Sequence, residues 1–212
     1  SGLTKRSRIA YKNLRMVYAG QKSPRELKRL ARSSIQNLAV SAVEMLRIPD
    51  MTAEDVRGKF TIAGEEHIRP YLDKGQGIIF LTGHYGSWEL LNIVSALKGF
   101  PILALARIQK HPRSDKYLND LRRSKGSVVV HKGMPIREML RALKDGKIIG
   151  VLSDQDGGRQ GRFVDFMGRR SSTPPGVAAF SIRTGAPVFP VFITRQAGGK
   201  HLIEIEPALQ DP

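Results

Sequence analysis

The chain has 212 residues, and 41% of them are hydrophobic. This length is enough for one folded domain with a core and too short for two large domains. It contains no cysteine, and this excludes disulfide bonds, cysteine-ligated zinc sites and a thiol nucleophile. With 35 Lys and Arg against 19 Asp and Glu, the formal net charge is +16. That charge predicts anionic partners such as nucleic acid, a membrane surface or a polyanionic substrate.

Residues 1–60 are predicted to form a basic helical segment. The first 32 residues hold ten of the Lys and Arg residues against a single acid. Ser23 is a suitable N-cap before Pro24, and apolar residues at helical spacing predict a helix over 24–47. The apolar face of this helix can pack on the rest of the protein while its basic face lies on a membrane surface. No apolar run approaches the ~18 residues needed to span a bilayer.

After residue 60 the apolar pattern alternates between strands and helices. Predicted helices cover 65–73, 87–98, 114–125 and 135–145. A further helix is predicted to begin at Thr173-Pro-Pro-Gly and to end near residue 183. Predicted strands cover 77–82, 102–105, 128–130, 148–153, 186–194 and 202–206, the last two being candidates for an antiparallel pair. For residues 61–212 the alternation predicts an α/β fold with a mostly parallel central sheet flanked by helices. Ligands bind such sheets beyond the carboxyl ends of the strands, where His84 and Asp154 fall.

A histidine and a glutamate follow the strand 77–82 at close spacing. His84 lies in the turn, and Glu89 lies in the first turn of the next helix. The two side chains can meet in that arrangement, although one continuous helix would set them roughly 140° apart. A carboxylate on one imidazole nitrogen fixes the tautomer and leaves the other nitrogen as a general base. The alternative interpretation is a capping histidine and a glutamate that favours the helix dipole.

The surrounding residues limit the groups from which such a base could take a proton. Cysteine is absent, and Ser87 is not part of a Gly-x-Ser-x-Gly elbow because Tyr85 occupies the first glycine position. The hypothesis is therefore that the imidazole of His84 deprotonates a substrate hydroxyl directly. Arg107 and Arg122 are candidates to bind phosphate or to stabilise an oxyanion, with ordinary surface arginines as the alternative.

Polar and glycine-rich residues follow the strand 148–153 and predict a substrate loop. The carboxylate of Asp154 is expected to hydrogen-bond a substrate or an arginine. No metal is expected, because no histidine stands at metal-motif spacing from this loop. Phe163, Phe166 and Met167 are candidates for an apolar chain site, with core packing as the alternative.

Five segments follow one another along the chain: Thr82-Gly-His-Tyr-Gly-Ser-Trp-Glu-Leu, Ser153-Asp-Gln-Asp-Gly-Gly, Phe163-Val-Asp-Phe-Met-Gly, Thr173-Pro-Pro-Gly and Thr184-Gly-Ala-Pro-Val-Phe-Pro-Val. Their order and spacing resemble the late acyltransferases of lipid A biosynthesis, the lauroyl/myristoyl transferase type within the lysophospholipid acyltransferase superfamily. The resemblance covers roughly 60–207. It implies that His84 is the base and that Glu89 orients it. It also implies that Arg107, Arg122 and Asp154 belong to the active-site region.

The resemblance implies an O-acyltransferase with a His-x4-Glu motif. Its donor would be a fatty acyl thioester of acyl carrier protein or coenzyme A, with no separate cofactor. The acceptor would be a hydroxyl of an anionic glycolipid such as a lipid A precursor, at the cytoplasmic face of the bacterial inner membrane. Members of this family usually carry an N-terminal membrane anchor and a C-terminal segment rich in Trp, His and Arg, and this chain is expected to lack both.

Other functions stay open at this point. Within the superfamily, a lysophosphatidate acyltransferase would usually show Pro-Glu-Gly-Thr-Arg where this chain has Asp154-Gln-Asp-Gly-Gly-Arg. A mannosylated inositol lipid or an ornithine lipid is an alternative acceptor. Outside the superfamily, the charge suits a basic nucleic-acid-binding protein, but no recognised binding motif or base-stacking platform is visible, so nucleic acid is not the expected partner. A membrane-surface protein that keeps the fold without activity is a third alternative.

Overall fold

The computed structural model describes residues 2–106, 111–131 and 136–209. Within these ranges the chain forms eight α-helices and nine β-strands. The helices are α1 (Gly2–Val17), α2 (Pro24–Leu46), α3 (Ala53–Lys59), α4 (Glu65–Leu72), α5 (Trp88–Leu97), α6 (Pro112–Arg123), α7 (Ile136–Lys144) and α8 (Gly176–Thr184). The strands are β1 (Phe60–Ala63), β2 (Ile78–Thr82), β3 (Ile102–Ala106), β4 (Val128–His131), β5 (Ile148–Leu152), β6 (Arg162–Phe166), β7 (Arg169–Thr173), β8 (Val188–Arg195) and β9 (His201–Ile205).

Seven of the described strands form one central sheet in the order β1-β9-β8-β2-β5-β3-β4. Neighbouring strands are parallel except for β8 and β9, which run antiparallel with Val191 opposite Ile205. Helices connect the parallel strands, as crossovers in a parallel sheet require. The predicted α/β fold is therefore confirmed, and so is the antiparallel pair near the end of the described chain.

Each face of the sheet is buried under its own set of helices, because neighbouring residues of a strand point in opposite directions. On β2, Ile79 packs with Met139 of α7 and Val177 of α8, whereas Phe80 packs with Ile93 of α5. Phe189 on β8 belongs to the same cluster as Phe80 and is fully buried. Burial on both faces explains why these strands read as continuous apolar runs in the sequence.

α2 connects the N-terminal segment to the rest of the fold. It begins at a capping box in which Ser23 and Glu26 each accept a hydrogen bond from the other's backbone N–H. α1 packs along α2, α2 contacts α5, and Ile48 after α2 is fully buried in the core. None of the helices in the described ranges combines the length and the apolarity needed to cross a bilayer.

Two elements were not predicted: β1 and the β6–β7 hairpin. β1 has only four residues, and the expected boundary near residue 60 falls on its first residue, Phe60, which pairs in parallel with β9. The hairpin, which comprises β6, β7 and the two residues between them, has exposed residues along all of β6, so its strands show no alternation of buried and exposed positions. Short strands and exposed strands lack the period-2 signal on which a sequence prediction depends.

Two phenylalanines on β8 test how much of the stability lies in the core. Phe189 is 0% exposed, whereas Phe192 on the same strand is 37% exposed. We expect Phe189→Ala to lower the free energy of unfolding by about 3–5 kcal/mol, because it leaves a cavity between the sheet and its helices. Phe192→Ala is the matched control and should cost much less. Equal losses in chemical denaturation would contradict this description of the core.

Candidate active site

β2 carries the candidate site, since it lies within the sheet between β8 and β5 and ends at the turn that holds His84. β5 runs parallel to β2, with Thr82 opposite Leu152. His84 and Asp154, each two residues beyond its strand end, therefore come to lie side by side. Gly83 allows the close approach: a Cβ at this position would stand 3.2 Å from Oδ2 of Asp154.

Asp154 holds His84 through both carboxylate oxygens. The backbone N–H of His84 donates to Oδ2 at 2.7 Å, and Nδ1 lies 2.8 Å from Oδ1. Because a carboxylate only accepts, Nδ1 carries the hydrogen in this contact, and in the neutral ring Nε2 keeps its lone pair, with the side-chain amide nitrogen of Gln155 3.4 Å away. The imidazole packs edge-on against Trp88, with 5.1 Å between ring centroids, and it is partly exposed. This geometry fixes the orientation of a partly exposed imidazole.

The structure corrects the expected pairing of His84 with Glu89. Glu89 lies in the first turn of α5 and faces α6 instead, where both of its oxygens accept hydrogen bonds from Arg122. The Nε and Nη2 distances are 2.9 and 2.6 Å, a bidentate geometry. The carboxylate on His84 is that of Asp154. The contact with the imidazole was not among the expected partners of Asp154, which were a substrate and an arginine.

The Glu89–Arg122 ion pair is largely removed from water, with the side chains 19% and 12% exposed. Burial disfavours the charged guanidinium, but the hydrogen bonds and the charge of Glu89 outweigh it and raise the pKa of Arg122. The charge of Arg122 is therefore paired with a protein carboxylate. Arg107, the other candidate cation, lies outside the described residues.

Behind the turn, a polar cluster joins α2 to the start of α5. Glu44 on α2 accepts hydrogen bonds from Nε and Nη2 of Arg195 at 2.7 and 2.8 Å and from the hydroxyl of Ser87. Burial acts to raise the pKa of Glu44, but the hydrogen bonds from Arg195 and Ser87 outweigh it and leave this pKa below its usual value. Ser41, also on α2, donates to the carbonyl of Gly86 at 2.8 Å. Sequence reasoning missed this cluster, because its members are far apart along the chain.

Gly86 fixes the far end of the turn. Its φ is +57°, and a Cβ there would stand 2.0 Å from the carbonyl oxygen of Ile193 on β8. Only glycine fits such a close approach in the left-handed region. The turn that carries His84 is therefore held by Asp154 on one side and by α2 and β8 on the other.

His201 on β9 closes the polar cluster. Its Nε2 lies 3.2 Å from Oε1 of Glu44, and its ring stacks on Phe60 with 4.9 Å between centroids. Nδ1 is buried and has no hydrogen-bond partner among the described residues. Burial lowers the pKa of His201, and the attraction of Glu44 offsets this only in part. The neutral ring, donating from Nε2, satisfies this environment better than the imidazolium, whose second N–H would be buried without an acceptor.

The apolar residues of the predicted substrate loop do not enter the core. Phe163, Phe166 and Met167 lie on the β6–β7 hairpin and are among the exposed large hydrophobic residues. The cavity beside Trp88, between α5 and the ends of β2, β3 and β5, has a volume of about 30 Å³ and holds no more than one water-sized group. Within the described ranges, no group of three or more His, Asp or Glu side chains is arranged to hold a metal ion.

Comparison with known proteins gives a consistent family. The model of the family described as bacterial lipid A biosynthesis acyltransferase matches residues 2–212. A phosphatidylinositol mannoside acyltransferase of Mycolicibacterium smegmatis is 26% identical over 166 residues, which cover 76% of this chain and 55% of that protein. A lipid A biosynthesis acyltransferase of Haemophilus influenzae is 28% identical over 148 residues, covering 69% of this chain and 46% of that protein.

A lipid A biosynthesis palmitoleoyltransferase of Escherichia coli is 27% identical over 201 residues, covering 92% of this chain and 63% of that protein. The chain thus spans about half to three fifths of the length of these curated relatives. The matched segments include the turn with His84 and the loop with Asp154, since the family match runs through both.

The buried histidine predicts a pH-dependent stability. Because the folded-state pKa of His201 is lowered, the unfolded chain binds this proton first, and stability is lost as the pH falls below about 6.5. The loss reaches at most about 1.4 kcal/mol per pH unit for one proton. We expect His201→Gln to remove this part of the slope between pH 6.5 and 5, above the range in which Glu44 is protonated. Identical slopes in denaturant titrations of the two proteins would contradict the assignment.

Proposed function

The chain belongs to the bacterial lipid A biosynthesis acyltransferase family, and we propose that it moves a fatty acyl group from a thioester to a hydroxyl of an anionic glycolipid. His84 is the general base, and Asp154 orients it. The observation that carries this proposal is the pair of hydrogen bonds between Asp154 and the partly exposed His84, which leaves Nε2 of the neutral ring as the basic nitrogen.

The reaction follows from this geometry. Nε2 of His84 takes the proton of the acceptor hydroxyl while its oxygen attacks the thioester carbonyl carbon. Asp154 accepts from Nδ1–H and stabilises the imidazolium that forms. The tetrahedral intermediate then expels the thiolate, which takes the proton from His84, so the ester forms and the C–S bond breaks. No covalent enzyme intermediate and no separate cofactor take part.

The arginines have different roles in this proposal. Arg122 is bound to Glu89, so it positions α6 against α5 beside the reactive turn. Arg107, which follows the end of β3 in the sequence, is proposed to bind the anionic substrate or the oxyanion. This assignment carries over the role of the corresponding region in the family.

Two acceptor classes are supported. The relatives from Haemophilus influenzae and Escherichia coli are named for lipid A biosynthesis, and the relative from Mycolicibacterium smegmatis is named for phosphatidylinositol mannoside. Both acceptors are anionic glycolipids, and the net charge of +16 suits either of them. An acidic acyl carrier protein or coenzyme A suits the same charge as donor. We place the reaction at the cytoplasmic face of the bacterial inner membrane, and the family match argues against the nucleic-acid alternative.

The direct test is mass spectrometry of lipids after incubation of the protein with acyl-acyl carrier protein or acyl-coenzyme A. A lipid A precursor and a mannosylated inositol lipid are supplied in separate reactions, with an ornithine lipid and a lysophosphatidate as comparison acceptors. A mass gain of one acyl group on a glycolipid supports the proposal. Acylation of lysophosphatidate alone would overturn the choice of acceptor.

Substitution of two carboxylates in the same loop, Asp154 and Asp156, distinguishes an orienting role of Asp154 from a general effect of removing a negative charge. We expect His84→Ala to abolish transfer and Asp154→Asn to lower kcat by about 10²–10⁴-fold, because the imidazole loses its tautomer and orientation. Asp156→Asn is the matched control: Asp156 accepts from the N–H of Gly158, which an asparagine oxygen can also do. Wild-type kcat in folded Asp154→Asn, or equal losses in the two variants, would rule out this mechanism.

Glu89 should behave mainly as the partner of Arg122. Glu89→Gln leaves a guanidinium largely buried without its counter-charge, and we expect the free energy of unfolding to fall by on the order of 3 kcal/mol. The double variant Glu89→Leu/Arg122→Met should recover much of this loss, because it removes both charges. At a temperature where each variant is folded, kcat should fall less than in Asp154→Asn. An unaltered stability together with a larger loss of kcat would instead place Glu89 on the reacting groups.

A further inference from the structure

The β6–β7 hairpin carries exposed apolar side chains at an unusual density. Its strands pair from Arg162 opposite Thr173 to Phe166 opposite Arg169, and Met167 and Gly168 form the tip with φ of +51° and +72°. A two-residue loop with both φ values positive is the turn that best matches the twist of two strands. Methionine is an uncommon choice there, since asparagine, aspartate and glycine adopt this conformation more readily.

Apolar residues lie on both faces of this ribbon. Phe163 points to one face, and Val164 and Phe166 point to the other, because successive side chains of a strand alternate. Phe163, Val164, Phe166 and Met167 are 63%, 44%, 62% and 57% exposed. A partner protein that packs on the ribbon would cover one face, whereas a lipid interface surrounds both faces and the tip.

Cations frame the apolar residues. The hairpin contains Arg162, Arg169 and Arg170 against one acid, Asp165. The guanidinium of Arg170 lies over the ring of Phe163, 5.6 Å from its centroid. Aromatic rings next to arginines are the combination that suits the boundary between lipid headgroups and acyl chains, where the arginines reach anionic headgroups.

A second basic element adjoins the hairpin. Nε of Arg169 donates to the backbone carbonyl of Met16 near the end of α1 at 3.0 Å. α1 contains five Lys and Arg residues and no acid. The hairpin and the adjacent helix therefore present positive charge together, which favours an anionic surface over a neutral one.

We propose that the β6–β7 hairpin inserts its tip into the headgroup region of an anionic phospholipid bilayer and docks the active site at the membrane. The inference rests on the proposed function in that the acceptor is a lipid. Hairpin and site are joined directly. Gly157, three residues after Asp154, donates its N–H to the carbonyl of Ser172 on β7 at 2.9 Å. The depth of the tip thereby sets the height of Asp154 and His84 above the lipid surface.

The absence of cysteine makes a local test possible. Met167→Cys, labelled with the environment-sensitive fluorophore NBD, is mixed with vesicles of phosphatidylglycerol and phosphatidylethanolamine. We expect a blue shift and quenching by brominated acyl chains. The control is Ile182→Cys, because Ile182 on α8 is 85% exposed and lies outside the hairpin. A label at 167 that stays in water while the protein co-sediments with vesicles would overturn the proposal.

A second experiment measures binding. Phe166→Ser/Met167→Asn removes two apolar side chains and places asparagine where φ is positive, so the fold should be retained. We expect at least about tenfold weaker binding to these vesicles, with Ile182→Ser as the matched control. Wild-type binding should also fall as salt rises or when phosphatidylcholine replaces phosphatidylglycerol. Unchanged vesicle binding of the double variant, or loss of binding only to purified acyl carrier protein, would show that the hairpin serves a protein partner instead.

Transfer assays separate this inference from the proposed function. The double variant should lose a larger fraction of acyl transfer to a glycolipid embedded in vesicles than to the same glycolipid dispersed in detergent. Equal losses in both formats would place the hairpin in substrate binding rather than membrane docking. Should the wild-type protein transfer no acyl group in either format, the proposed function fails, while the fluorescence at position 167 still decides whether the hairpin inserts.

Discussion

The pairing of β2 with β5 is the constraint on which the site depends. Their parallel register sets Thr82 opposite Leu152, so the residues that follow each strand emerge next to each other. One of these is an imidazole and the other a carboxylate, and two hydrogen bonds join them. A shift of register by one residue would exchange the faces of the strands and would also separate His84 from Asp154. The core that fixes the register therefore also fixes the catalytic geometry.

Around this pair, other carboxylates are occupied by arginines. Glu89 binds Arg122, and Glu44 binds Arg195 together with Ser87. Both ion pairs lie against the two ends of the turn and the start of α5, where unpaired charges would be costly in a partly buried setting. Among the residues that the structure describes, Asp154 is thereby the acidic partner that sets the tautomer of His84. The carboxylates that neutralise the arginines are thus different from the one proposed to orient the base.

The sequence predicted the parallel sheet because strands buried on both faces leave continuous apolar runs between helices. It also located His84 and Asp154 at strand ends. It did not identify their contact, because proximity along the chain favoured Glu89, whereas the true neighbour comes from a strand 70 residues away. The strand order, which places β2 beside β5, is the one further fact needed to predict the contact between His84 and Asp154. The hairpin escaped prediction for the opposite reason: its side chains are exposed on both faces, so no burial period marks its strands.

The balance of charge near the reactive turn differs from that on α1 and the β6–β7 hairpin. Arg122 and Arg195, close to the reactive turn, are bound by carboxylates and contribute little net field there. The cations of α1 and of the hairpin face no comparable number of acids, since α1 has none and the hairpin has one. α1 and the hairpin each carry an excess of positive charge. An anionic interface would be drawn to the hairpin, whose strand β7 is hydrogen-bonded through Ser172 to Gly157 in the loop that carries Asp154.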